Sequence, residues 1–365
     1  MTSAQLASTG DEGFADAILL DEASTADLRG KVIEAWRDFA RALSTVLPGL
    51  PVGSRVELTL DPTASGTGAA VYSVELQIVS DGMVRALAVG NASLPEGYRL
   101  DRGAVADLVA LGWSPPGVLP DSGEQFGLHA PIKDASRIAT TVSRTLRDVY
   151  GAPHPAFLVY LVHDAEDEPI PVEPLATARP ELAGSLDLDS AIKAGQAIAA
   201  RGEQQPADDD SVALEERVRT VVAALMKSEP DQLTLDSDGD IGIRAGSAMV
   251  FVRVRDNPPL VDVFSPVLTE VDPTEQLYVK LSELTNRMPI GRLYCTNDTV
   301  WASIPVFGRN FQATHLMLAV QVMTGLADEL DDRLHGEFGG KRFFGEGDKP
   351  PHRTTAQEPK TGMYL

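Results

Sequence analysis

Leu28, Val32, Trp36, Phe39, Leu43 and Val46 recur at three- and four-residue spacing, which predicts one apolar stripe on an amphipathic helix that Pro48 and Pro51 end. The period then falls to two. Val56, Leu58 and Leu60 alternate with Arg55, Glu57 and Thr59, and Tyr72, Val74, Leu76 and Ile78 alternate in the same way. Asp81-Gly82 is a hairpin signal, after which Val84, Ala86 and Ala88 continue the alternation. A short helix around Val105–Leu111 stops at Gly112. A longer one from about Asp134 to Tyr150 carries Ile138, Val142, Leu146 and Val149, and a strand follows over Phe157–Val162. Residues 25–163 therefore read as helix, three strands, helices, strand.

A second unit begins near residue 211. Leu214, Val218, Val221 and Leu225 form a helix stripe, and Leu233 with Leu235 predicts a strand. Ile241 and Ile243, then Val250, Val252 and Val254, then Val261 and Val263 alternate as three more strands. A helix near Thr274–Asn286, strands near Arg292–Thr296 and Val300–Val306, and a long helix from about Phe311 to Leu334 complete the order α-ββββ-α-ββ-α. The connections are too short for parallel crossovers, so both sheets are expected to be antiparallel. The fold class is α+β: two domains, each an antiparallel sheet with helices covering one face.

Composition marks the boundaries. Residues 1–24 read as a mobile acidic arm, 25–163 as the first domain and 211–338 as the second, with 339–365 as a disordered tail. Residues 164–210 hold twelve Asp and Glu against three Lys and Arg, with several prolines and a weak helix around Ser190–Ala200, which predicts a linker.

Charge narrows the function. The 365 residues carry a formal net charge of −22, which argues against nucleic acid or anionic lipid as a partner, since both need their phosphates neutralised by Lys and Arg. The N-terminus has no positive region ahead of an apolar run, and no window approaches a membrane span, so a soluble, cytoplasmic chain without membrane insertion is expected. The one cysteine, Cys295, excludes an intrachain disulfide and a Cys-based zinc site, and its strand position predicts a small core residue.

Chemistry finds no footing. Asp236-Ser-Asp-Gly-Asp240 places acids at positions 1, 3 and 5 of a calcium loop, but Ile241 stands where Gly is needed and Ser247 where the bidentate Glu belongs. The pattern predicts an Asp-Gly hairpin turn. His129, His154, His163, His315, His335 and His352 show no zinc-site spacing, and His315 near the last helix start is expected to pack or cap. No nucleophile elbow or phosphate loop occurs. The expectation is a non-enzyme with no catalytic residue, cofactor or metal.

What remains is surface. If the helices cover the sheet face made by Ile241, Ile243, Val250, Val252 and Val254, parity gives Arg244, Phe251, Arg253, Arg255, Phe264 and Trp301 to the opposite face, with Thr234, Asp262 and Ser303. Aromatics interleaved with Arg suit a binding surface, and these six are the expected partner-binding residues. An external partner, the first domain, a second copy and the acidic linker all remain open as its cover.

Residues 211–344 resemble the YbjN-type domains of actinobacterial proteins, which are similar in fold to type III secretion chaperones. The stretches that carry this are the Leu214–Leu225 helix, "DSDGDIGIRAGSAMVFVRV", "PPLVDVFSPVL" and "LYCTNDTVWASIPV" before a long helix. The first domain, with "WRDFARAL", "AVGN", "LGW" and "TLRDVYG", is similar to the N-terminal domain found ahead of it. The resemblance implies a non-enzymatic, chaperone-like adaptor for a peptide or protein client, with a link to secretion and a homodimeric state. The alternative is a structural subunit of a larger assembly, using the aromatic–Arg face as an obligate interface.

Overall fold

The computed structural model describes residues 27–61, 71–79, 82–180, 212–245 and 248–343. The acidic arm, the Ser190–Ala200 helix and residues 344–365 of the tail lie outside these.

The first helix, α1 (Leu28–Val46), starts where the Asp27 carboxylate accepts the Gly30 N–H at 3.0 Å. It is followed by β1 (Arg55–Leu60), β2 (Ser73–Val79), β3 (Met83–Ala88), α2 (Arg102–Ala110), β4 (Phe126–Pro131), α3 (Ala135–Arg144), β5 (Leu158–His163) and β6 (Arg179–Pro180). The sheet order is β4-β3-β2-β1-β5-β6, antiparallel except for the final β5–β6 pair. β1, β2 and β3 alternate strictly between buried and half-buried positions. Their inward residues Val56, Leu58, Val74, Leu76 and Val84 share a core with the α1 stripe at Trp36, Phe39 and Leu43 and with Ile138, Val142 and Leu146 behind α3.

Two features depart from expectation. β4 was not legible, because Phe126-Gly-Leu-His-Ala-Pro has no clean alternation: its first three residues are all buried. The segment after residue 163 also packs on the first sheet. Ile170 N–H bonds the Val162 carbonyl at 2.9 Å, Leu175 and Ala178 enter the core, and Arg179 reaches Asp61 at 2.6 Å. Acidic, proline-containing composition reads as linker, yet two buried apolar side chains are enough to anchor such a segment.

The second domain contains α4 (Leu214–Met226), β7 (Ile241–Ala245), β8 (Ala248–Asp256), β9 (Pro259–Thr269), α5 (Glu275–Thr285), β10 (Arg292–Thr296), β11 (Thr299–Phe307), α6 (Ala313–Phe338) and β12 (Lys341–Arg342). Its sheet runs β10-β11-β9-β8-β7, all antiparallel, with β12 beside β9. Val218, Val222, Leu277, Leu281, Leu316, Val320 and Met323 from the three helices meet Ile241, Ile243, Val250, Val252, Val261 and Val263 in a second core. The strand expected at Leu233–Leu235 reduces to one bridge, Leu235 to Ile241. Of the expected disordered tail, residues 341–342 form β12, and the Phe343 ring lies 6.2 Å from that of Phe157 in the first domain.

Candidate functional site

Strand register assembles the aromatic face. Phe251 on β8 pairs with Phe264 on β9, and their rings stack at 5.5 Å; Trp301 on β11 follows at 5.8 Å from Phe264. The three are only 2%, 4% and 0% exposed, and they join the core of the first domain rather than that of their own. α1 and the Pro155–Phe157 turn both supply contacts across this boundary. The Lys31 ammonium stands 5.5 Å over the Phe251 ring, and the Arg244 guanidinium 4.8 Å over the Phe157 ring. The face drawn from parity is thus assembled as one surface, but it is not open: in this chain the first domain covers it.

The three arginines of the face are also engaged within the chain. Arg253 grips Asp240 through Nε and Nη2 at 2.6 and 2.7 Å, and Arg255 bonds Asp262 at 2.6 Å. Arg244 crosses to Asp61, a buried carboxylate that Arg179 also holds. A basic patch in a chain of charge −22 therefore has its counter-charges on the same molecule. Burial first, and the nearby Arg179 charge second, push the Arg244 guanidinium below its ordinary value, with Asp61 acting against that shift.

The Asp236–Asp240 turn is where sequence reasoning missed a partner. The Asp236 carboxylate accepts the N–H groups of Asp238 and Asp240 at 3.0 and 2.9 Å, and Gly239 supplies the positive φ that closes the turn. This folds the three carboxylates to within 4.8 Å of one another. The Lys31 ammonium sits among them, at 2.6 Å from Asp236, 2.8 Å from Asp238 and 2.6 Å from Asp240. Lys31 is 3% exposed. Burial opposes its charge, but the hydrogen bonds to the three aspartates prevail and raise its pKa above the ordinary lysine value. The reciprocal effect, led by the bond to Lys31, holds Asp238 below the usual carboxylate range. A signal for this existed: Lys31 stands three residues after Leu28, on the apolar stripe itself, and a lysine there needs a buried acid.

Beside this clasp a narrow void of about 30 Å³, room for about one water, is lined by Lys31, Glu34, His154, Thr177, Asp240 and Phe251. His154 is buried, accepts the Ala156 N–H on Nδ1 at 3.1 Å, and is pushed down to about 3 by desolvation. It is a neutral structural imidazole.

The other candidates fall into ordinary roles. Cys295 is half-buried against the second core, with its thiol pKa raised by desolvation and then by Asp298. His315 is exposed in the first turn of α6 rather than packed. Asp164 caps its own turn, its carboxylate accepting the Glu166 and Glu168 N–H groups. Among the described residues no helix is long and apolar enough to cross a membrane.

Two family models match the chain. Residues 213–346 match the model described as "T3SS (YopN, CesT) and YbjN peptide-binding chaperone 1", and residues 29–163 match "T3SS (YopN, CesT) and YbjN peptide-binding chaperone 3". No curated protein matches it. The matched spans cover most of the two sheet-and-helix units and leave out the whole acidic segment 164–210 between them. Each of the two sheet-and-helix units thus matches a model of T3SS and YbjN peptide-binding chaperone domains.

Proposed function

We propose that this chain is a non-enzymatic adaptor of chaperone type that holds a peptide or protein client in the cytoplasm, in the handling of proteins for secretion. The observation that carries this reading is the presence of two domains matched to peptide-binding chaperones in one chain. The net charge of −22 supports a polypeptide client over a nucleic acid, because it repels phosphate. In this reading Arg244, Phe251, Arg253, Arg255, Phe264 and Trp301 act by seating the first domain, and the client is held elsewhere on the joined pair. The alternative, a structural subunit using that face as an obligate interface, would require the first domain to leave it. A homodimer is the stoichiometry the reading carries, and light scattering of the purified chain measures it.

The test is in-cell crosslinking of the full chain, mapping of the crosslinked segment of each partner, and titration of that segment as a synthetic peptide by calorimetry. Saturable binding of the free peptide supports the adaptor. If no crosslinked segment binds in isolation or as its folded parent protein, the reading fails.

A further inference from the structure

The first sheet gives one face to its core and turns the other outward. On the outer face, strand register sets Leu161, Glu57, Glu75 and Leu87 in one row across β5, β1, β2 and β3. The adjacent row is His163, Arg55, Gln77, Arg85 and His129. All but His129, which is exposed, are half-buried.

The two rows differ in how their charges are met. In the basic row Arg55 pairs with Asp167, and Arg85 bonds Gln77 and stands 3.7 Å from Asp121. In the acidic row Glu57 and Glu75 face each other directly across β1 and β2, and no described residue gives either a cation. Like charges placed opposite in a sheet are destabilising. Two further polar atoms on this face, Arg85 Nε and His163 Nδ1, are buried without a hydrogen-bond partner. The face is bounded at the β4 side by the Leu119–Ser122 turn, against which a side chain at Gly127 would close to 3.1 Å.

We propose that this outer face of the first sheet is a docking surface for an extended basic peptide, with a Lys or Arg side chain seated between Glu57 and Glu75 and apolar neighbours on Leu161 and Leu87. The row from Leu161 to Leu87 crosses three strand spacings, about 14 Å, which about four extended residues span. Charge complementarity names the occupant: two carboxylates without a cation among the described residues, in a chain of −22, attract cationic segments at long range and select them at contact. This inference rests on the peptide-binding reading and gives it a site and a client chemistry.

The test uses the full chain and three versions of one unstructured Leu/Ser peptide carrying at its centre Lys, Gln or Glu. Binding is measured by fluorescence anisotropy at low and high salt for wild type and for Glu57→Gln/Glu75→Gln. The expected result is preference for the Lys peptide, weakened by salt, with roughly tenfold loss in the double variant. The variant is expected to melt at or above the wild-type temperature, because like-charge repulsion is relieved; a marked fall would show that the carboxylates have partners within the fold and overturn the assignment. Binding indifferent to central charge, or unchanged in the variant, overturns the site while leaving peptide binding intact. No binding of any version, together with failure of the crosslinked segments above, overturns both.

Discussion

Lys31 Nζ lies 2.6 Å from Asp240 Oδ2, and the two residues belong to different domains. Asp240 is also held by Arg253, so one buried carboxylate ties α1 to β8 through two cations. Lys31→Met removes the ammonium and leaves three clustered acids at the boundary, which is expected to cost about 3–5 kcal/mol of stability. Denaturant unfolding measures it. With the ammonium gone, millimolar Ca²⁺ should recover part of the loss in the variant and leave wild type unchanged. Calcium stabilisation of wild type would contradict the assignment of Lys31 as the resident cation.

The stacked pair Phe251–Phe264 and the adjoining Trp301 give a second expectation. Phe251→Ala with Trp301→Ala empties two buried ring sites, each worth about 3–5 kcal/mol singly, with a sum reduced by their shared neighbour Phe264. The melting temperature should fall sharply and limited proteolysis of the full chain should accelerate. An unchanged melting temperature would mean that the face is open in solution.

His154 makes stability pH-dependent in a defined direction. Its folded value of about 3 lies below the ordinary 6.5, so between these limits the unfolded chain binds more protons. Its contribution is therefore full above about pH 6.5 and is lost as pH falls toward about 3. Asp238, held below the usual carboxylate range by Lys31, adds loss in the same direction at the acid end. Chemical denaturation across this range should show a positive slope of stability with pH, flattened in His154→Asn. An imidazole that titrates near 6.5 by NMR would remove the basis of this prediction.

Gly340 holds β12 beside β9. Its φ of +82° suits glycine, and a Cβ there would meet the Thr269 carbonyl at 2.7 Å. Gly340→Ala should displace β12 and draw Phe343 away from Phe157, at a cost of roughly 1–3 kcal/mol. Thermal melting of Gly340→Ala tests it, and an unchanged melting temperature would mean that β12 accommodates a side chain at this position.

Local periodicity determines much of this molecule. The three- and four-residue spacing from Leu28 to Val46 and the alternation in β1, β2, β3 and β8 specify element types and, through parity, which residues share a face. That is why Phe251, Phe264 and Trp301 could be grouped although they come from three strands. Parity carries no information about what lies on the other side. Whether those rings meet solvent, a client or the first domain depends on contacts across some 200 residues of chain, and only the packed structure, with α1 laid against β8, decided it. The same holds for Lys31 and Asp236–Asp240, which look like a helix lysine and a turn until folding brings them together. Burial of a charge is a property of the assembled layers: the sequence sets which side chains can pair, and the tertiary fold alone removes the water that makes the pairing necessary.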